Sequence, residues 1–203
     1  MLRREGTIVN HKRLYRIYKA DGLLVPRRAQ ATRAPRARCI AATGYCLKST
    51  RSIDFLSDTL VSGRRTRFLS IVDDFTREGL RLEPDFSLPA ARVIRALDEI
   101  AQRRGYPTIL RSDNGPEFAS LELLKWTAEH TVRLHFITPG KPTENANIES
   151  LNARIRDEFL NEHGFLKQAD APREAELWLQ HYNEDRPHSS LGYATPAEFA
   201  ATA

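Results

Sequence analysis

The sequence predicts a mixed α/β fold, a sheet of five strands flanked by helices and preceded by a short basic helical arm. Three observations point there. Apolar residues recur with a period of two in some segments and near 3.6 in others, in the order three strands, helix, strand, helix, strand, helix. Turn-forming Gly, Pro, Asn and Asp punctuate the joins. Charge is divided unevenly: residues 1–51 hold 13 Lys/Arg against 2 Asp/Glu, a net of +11, whereas the remainder holds 18 against 24, a net of −6. A chain of 203 residues is long enough for one domain with an appendage.

The elements follow in order. Asn10 is a candidate cap for a helix over about 11–20, in which Leu14, Ile17 and Tyr18 fall on one face and basic residues, Lys12, Arg13 and Arg16 among them, on the rest. Gly22 is a candidate stop. This segment, 1–25, could be the end of a helix-turn-helix, with the upstream helices missing. Residues 26–51 read as a basic linker rich in Arg, Ala and Pro without hydrophobic period. The core is predicted over 52–165. Ile53, Phe55 and Leu56 suggest a first strand, Arg67 to Phe75 a second and Gly79 to Pro84 a third, joined as antiparallel neighbours by turns at Gly63 and Thr76-Arg77. Ser87 is placed to cap a helix from Leu88 to Arg104, with Ala90, Val93, Ile94, Leu97 and Ile100 as its apolar stripe. Thr108 to Arg111 gives a fourth strand running into Asp113. A helix is predicted over Pro116 to Glu129, with Phe118, Leu121, Leu124 and Trp126 facing the core, then a strand from Val132 to Ile137. A long helix starts at Thr143 or Asn145 and reaches about Asn161. The segment 166–203 adds a helix from about Ala171 to Tyr182 and a turn-rich tail from Asn183.

Composition excludes several classes. No apolar run approaches the roughly 18 residues of a membrane span, and the N-terminus lacks the apolar core of a signal peptide, so a cytoplasmic protein is the default expectation. Two cysteines, Cys39 and Cys46, do not make a disulfide framework, and no Cys or His pair at zinc-like spacing accompanies them. The basic arm is suited to a polyanion, with phosphate contact as the natural use.

Three carboxylates stand where chemistry is expected. Asp54 lies in the first strand, Asp113 ends the fourth, and Glu149 falls in the first turns of the long helix. If the first and fourth strands are neighbours, the two aspartates sit side by side. Three carboxylates that close repel one another unless cations sit among them, and their oxygens suit Mg²⁺ or Mn²⁺. Two such ions can activate a water or a 3′-hydroxyl for attack on a phosphodiester. Each residue also has a plain structural reading: Asp113-Asn114-Gly115 as a turn, Glu149 as a partner of the helix dipole. Asp73 and Asp74 are expected to finish a strand and cap a turn, with Asp74 able to pair Arg77. Lys141 lies on the loop leading to Glu149 and suits a DNA contact. Asn145 suits orienting Glu149, touching substrate or capping the helix. Glu149 and Asn152 share a helix face with Arg156 one turn further on, and Asn152, Arg154 and Arg156 could meet DNA. Trp126 and Trp178 read as core, and His163, His181 and His188 are given no metal.

Several motifs taken together resemble a known family. Ser112-Asp113-Asn114-Gly115-Pro116-Glu117-Phe118, Pro139-Gly140-Lys141-Pro142-Thr143, Asn145-Ala146 with Ile148-Glu149-Ser150 and Asn152, and the tail from Tyr182 to Tyr193 are similar to the catalytic core of DDE transposases and retroviral-type integrases, most of all to the OrfB-type transposases of bacterial insertion sequences. The resemblance covers about 52–200 and more weakly 1–25. It implies a ribonuclease H-like fold and two Mg²⁺ ions, replaceable by Mn²⁺, held by Asp54, Asp113 and Glu149. It also implies cleavage at element ends, strand transfer to target DNA and a homo-oligomer on DNA. Arg51 stands where the family usually has Trp, and Asn147 where it usually has an aromatic residue. With the helix-turn-helix cut short, these departures suggest a truncated copy, for which the alternative is a remnant that only binds DNA or partner subunits.

Overall fold

A computed structural model describes residues 11–21, 50–60, 63–138, 142–161 and 170–202. The chain divides into two units, Met1–Tyr45 and Cys46–Ala203. In the first, helix α1 (His11–Ala20) carries Lys12, Arg13 and Arg16 exposed, and Arg16 Nε donates to the Lys12 carbonyl at 3.4 Å. Asn10, Gly22, Cys39, Cys46 and most of the basic linker lie outside the described residues.

The second unit is built on a five-stranded mixed sheet in the order β3-β2-β1-β4-β5. Its strands are β1 (Thr50–Thr59), β2 (Arg65–Asp73), β3 (Gly79–Asp85), β4 (Ile109–Ser112) and β5 (Arg133–Phe136). The first three pair antiparallel, and β4 joins β1, and β5 joins β4, in parallel. Pleating sends alternate side chains of each strand to opposite faces. On one face Ile53, Leu69, Ile71 and Leu110 pack with Val93 and Leu97 of α2 (Ala90–Arg104) and Leu123 and Trp126 of α3 (Leu121–Glu129). On the other, Leu56, Phe68, Val72 and Leu82 pack with Ile148, Leu151 and Ile155 of α4 (Ala146–Ile155) and Ala175 and Tyr182 of α5 (Ala171–Glu184). Both faces are thus covered, as a sheet with parallel strands requires.

Several boundaries differ from expectation. Helix α2 begins at Ala90 after Pro89, without a side-chain cap from Ser87. Pro116–Ala119 is a turn, and α3 starts only after Ser120, whose hydroxyl accepts from the Leu123 amide at 3.3 Å. That later start rotates the buried face: Leu123 is fully buried, whereas Leu121 is 75% exposed and Leu124 41%. Phe118 and Trp126 are buried as expected, and the Trp126 indole donates to Asp98 at 2.8 Å. The long helix is α only to Ile155 and continues as a single π turn, Arg156–Leu160, which changes its phase. Arg156, the first residue of that turn, still follows Glu149 and Asn152 in helical phase, and the residues after it do not. The tail is more regular than its turn residues suggest, with a 3₁₀ turn at Ser189–Leu191 and α6 (Pro196–Thr202).

The free edge of the sheet is closed from sequence far away. Asn183 on α5 accepts from the Gly79 amide at 2.9 Å and donates to the Gly79 carbonyl at 2.8 Å. Its amide stands in for a neighbouring strand at that point.

Candidate active site

The site forms where β1 and β4 diverge. Their parallel register ends with Ser52 opposite Arg111, so two residues further on Asp54 and Asp113 come side by side. Alternation places Asp54 on the α4 face, since Ile53 faces the other core and Leu56 packs with α4. Helix α4 packs across β1 and β2 by Ile148, Leu151 and Ile155, and this delivers Glu149, itself exposed, to the same place. The Asp54 carboxyl is pushed up to about 6, first by burial and then by the negative charges of Asp113 and Glu149. Asp113 and Glu149 thus lie near enough to Asp54 to act on its charge.

Both oxygens of Asp54 are engaged. Oδ1 accepts from the Phe55 amide at 2.7 Å and Oδ2 from Asn152 Nδ2 at 2.7 Å. The Asn152 side chain is in turn oriented by Ser70, whose hydroxyl donates to Oδ1 at 2.7 Å. Asn152 is 8% exposed, so the structure places it inside the protein against Asp54 rather than on an open surface. Asp113 Oδ1 accepts from the Gly115 amide at 3.0 Å, and a Cβ on Gly115 would lie 3.0 Å from that same oxygen. The turn after Asp113 is anchored by two side chains. Phe118 stacks on Phe55 with ring centroids 4.6 Å apart, and Glu117 pairs with Arg67, whose guanidinium also lies 4.3 Å from the Phe55 ring centroid. The residue after Asp54 and the turn after Asp113 are thereby packed together.

The donor set suits a hard divalent cation: three carboxylates, one of them, Asp54, raised in pKa first by burial and then by the charges of the other two. As the side chains stand, no group of three or more His, Cys, Asp or Glu among the described residues is arranged to close on an ion.

The other predicted positions are dispersed. Asn145 is 3% exposed at the N-cap position of α4, where its side chain makes no capping bond and its Oδ1 has no hydrogen-bond partner. Arg154 is exposed and pairs with Glu158 at 3.4 Å, and Arg156 is exposed on the π turn. Lys141 lies outside the described residues, and α1 belongs to the separate unit. Asp73, not Asp74, caps the turn after β2: its Oδ1 accepts from the amides of Phe75 and Thr76 at 2.9 and 3.0 Å. Asp74 is fully buried and pairs with Arg111 at 2.7 Å; Arg77 acts on it only as a nearby charge.

Comparison with known proteins bears on the family and the fold. Two integrase core domain family models match the chain, over residues 48–142 and 130–196. An uncharacterized 31.7 kDa protein of insertion element IS407 from Burkholderia multivorans is 46% identical over 201 residues, covering 99% of this chain and 73% of that protein. A 39.2 kDa protein of IS476 from Xanthomonas euvesicatoria is 45% identical, over 99% of this chain and 58% of its own length. The InsD transposase of the IS2 element from Escherichia coli is 24% identical over 98% of this chain and 70% of its own. Among solved structures, the HTLV-2 integrase catalytic core with magnesium superposes with a TM-score of 0.59 at 16% identity, over 75% of this chain and 95% of that one. A simian T-cell lymphotropic virus intasome chain gives 0.63 at 17%, over 75% and 54%. At such identities the structures speak for the ribonuclease H-like fold alone.

Proposed function

The chain belongs to the integrase core family of bacterial insertion-element transposases, and we propose that it is a metal-dependent DNA strand transferase that uses Asp54, Asp113 and Glu149. The observation that carries this reading is the register of β1 and β4, which ends at Ser52 and Arg111 and so brings Asp54 and Asp113 side by side, with the helix that carries Glu149 packed across β1 and β2. A protein gains nothing in stability from crowding three carboxylates; the arrangement makes sense as a seat for divalent cations.

Two Mg²⁺ ions held there, or Mn²⁺ in their place, would neutralise the carboxylates, activate a water or 3′-hydroxyl and stabilise the leaving oxygen of a phosphodiester. The protein's own part is positioning. Asn152, held by Ser70, orients the Asp54 carboxylate that would hold a cation. The Gly115 amide sets Asp113 in the same way. Arg154 and Arg156, exposed beyond Glu149, and Lys141, which precedes that helix in sequence, would supply positive charge for the DNA backbone. Lys12, Arg13 and Arg16 form a second basic surface, on a separate unit, for element-end or target DNA. The partners are then DNA and further copies of the chain assembled on it.

The test is strand transfer by the whole chain on labelled element-end DNA with Mg²⁺ or Mn²⁺, beside Asp113→Asn. Joined product that needs the metal and falls at least 100-fold in the variant is the expected result. Salt-sensitive DNA binding without cleavage or joining would instead leave the protein a DNA-binding remnant.

A further inference from the structure

We propose that Asp74 is a positioning residue for the metal site, a buried carboxylate that fixes the three elements carrying Asp54, Asp113 and Glu149 relative to one another. The inference rests on the reading of those three as the metal-holding set.

The geometry is specific. Asp74 is fully buried at the end of β2, and its amide donates to the Thr50 carbonyl at 3.0 Å. Its Oδ1 accepts from the Ser52 hydroxyl at 2.8 Å, and its Oδ2 from Arg111 NH1 at 2.7 Å. The Asn147 side chain lies close enough to the same carboxylate to favour its charged form. Each partner stands two residues before a member of the site: Ser52 before Asp54, Arg111 before Asp113, Asn147 before Glu149. Ser52 and Arg111 are moreover the last registered pair of β1 and β4, so one carboxylate bridges both strands at the point from which the aspartates project. By the alternation of the strands, Ser52 and Arg111 lie on the same face as Asp54 and Asp113.

A buried carboxylate is costly, and a turn after a strand does not require one. Asp73 already provides the cap. What Asp74 adds is a common anchor. It orders the start of α4, whose N-cap residue Asn145 makes no side-chain cap bond, through Asn147. It also holds the Arg111 guanidinium away from Asp113, where an unpaired cation would compete with a divalent ion. Asn147, which departs from the aromatic residue usual at that position, is by this account a working part of the anchor.

The experiment is Mn²⁺ titration of the whole chain, followed by paramagnetic resonance of free Mn²⁺, at a temperature well below the melting of each variant. Asp113→Asn identifies the binding that belongs to the triad. Asp74→Asn is expected to weaken that binding at least fivefold and to slow Mn²⁺-dependent joining tenfold or more. Ser52→Ala and Asn147→Ala, which each remove one tie and leave the ion pair, are expected to weaken it two- to threefold; they decide the matter if Asp74→Asn does not fold. Unchanged Mn²⁺ affinity in the folded Asp74 variant, or in both single-tie variants, overturns the proposal while the triad stands. Mn²⁺ binding by the unaltered protein that ignores Asp113→Asn overturns the triad reading itself, and this inference with it.

Discussion

At the residue scale, polar groups buried near the site divide into those with complete partners and those without. Asp74 and Asn152 are satisfied by specific donors and acceptors from other elements. Arg51 is not. It is 5% exposed in β1, its NH2 donates to the Arg104 carbonyl at 3.3 Å, and its NH1 has no hydrogen-bond partner. Burial pulls its guanidinium below the ordinary arginine range. A buried charge with incomplete partners contributes little to stability, and an apolar side chain of similar length removes the desolvation cost. Arg51→Met is therefore expected to keep the unfolding free energy or raise it by about 1 kcal/mol, a gain of roughly 3 °C in Tm. Thermal denaturation checks it; a loss of stability on that scale would show that Arg51 is a net support of β1.

At the element scale, the exposed edge of β3 and the covering helix α5 act as one piece. Gly79 leaves room for α5, since a Cβ there would come within 2.4 Å of Leu179 Cδ1. The Asn183 amide satisfies both backbone groups of Gly79. Asn183→Ala removes both bonds and is expected to cost about 2 kcal/mol. Hydrogen exchange is the direct check: the Gly79 amide should lose protection while those of β1 and β4 keep theirs. Asn183 belongs to the tail motif that resembles the transposase family, and its observed part is structural. The same scale explains where sequence reading of elements went astray. Periodicity placed a helix from Pro116, but Phe118 is committed to Phe55 and Glu117 to Arg67, so the helix starts only at Leu121 and buries Leu123 instead of Leu121 and Leu124. The helical period around Glu149 ran unbroken in sequence, whereas the π turn shifts its phase after Arg156.

At the scale of the whole molecule, the tail from Asn183 folds back on α4 and α5 and brings a titratable group with it. Arg186 pairs with Glu158 on the π turn, and the His188 ring meets Tyr182 edge-on, with centroids 4.9 Å apart. Burial first, then Arg186, Arg154 and Arg77, lower the His188 pKa from 6.5 to about 4. Between those two values the unfolded chain binds the proton and the folded chain does not, so stability rises with pH across this window and is lost as pH falls. The contribution, discounted for partial exposure, is on the order of 2 kcal/mol. His188→Gln is expected to flatten this part of the profile, seen as a smaller fall in denaturation midpoint between pH 6.5 and pH 4.5. A parallel profile in the variant would show that other groups set the acid sensitivity.

The sequence by itself determined the order of elements, the pairing of the first three strands and the family; the adjacency of the first and fourth strands came from the fold. Local alternation, turn chemistry and short motifs carry that information within windows of about ten residues. It also named Asp54, Asp113 and Glu149, though by resemblance more than by spacing. Only the tertiary structure decided what the residues around them do. Asp73 and Asp74 are adjacent in the chain and alike in chemistry, yet one caps a half-buried turn and the other is buried against Ser52 and Arg111. Asn152, expected to meet DNA, is turned inward onto Asp54 and Ser70. The reason is physical: which way a polar side chain faces is settled by partners dozens of residues away, and no periodicity in the chain records where those partners will arrive.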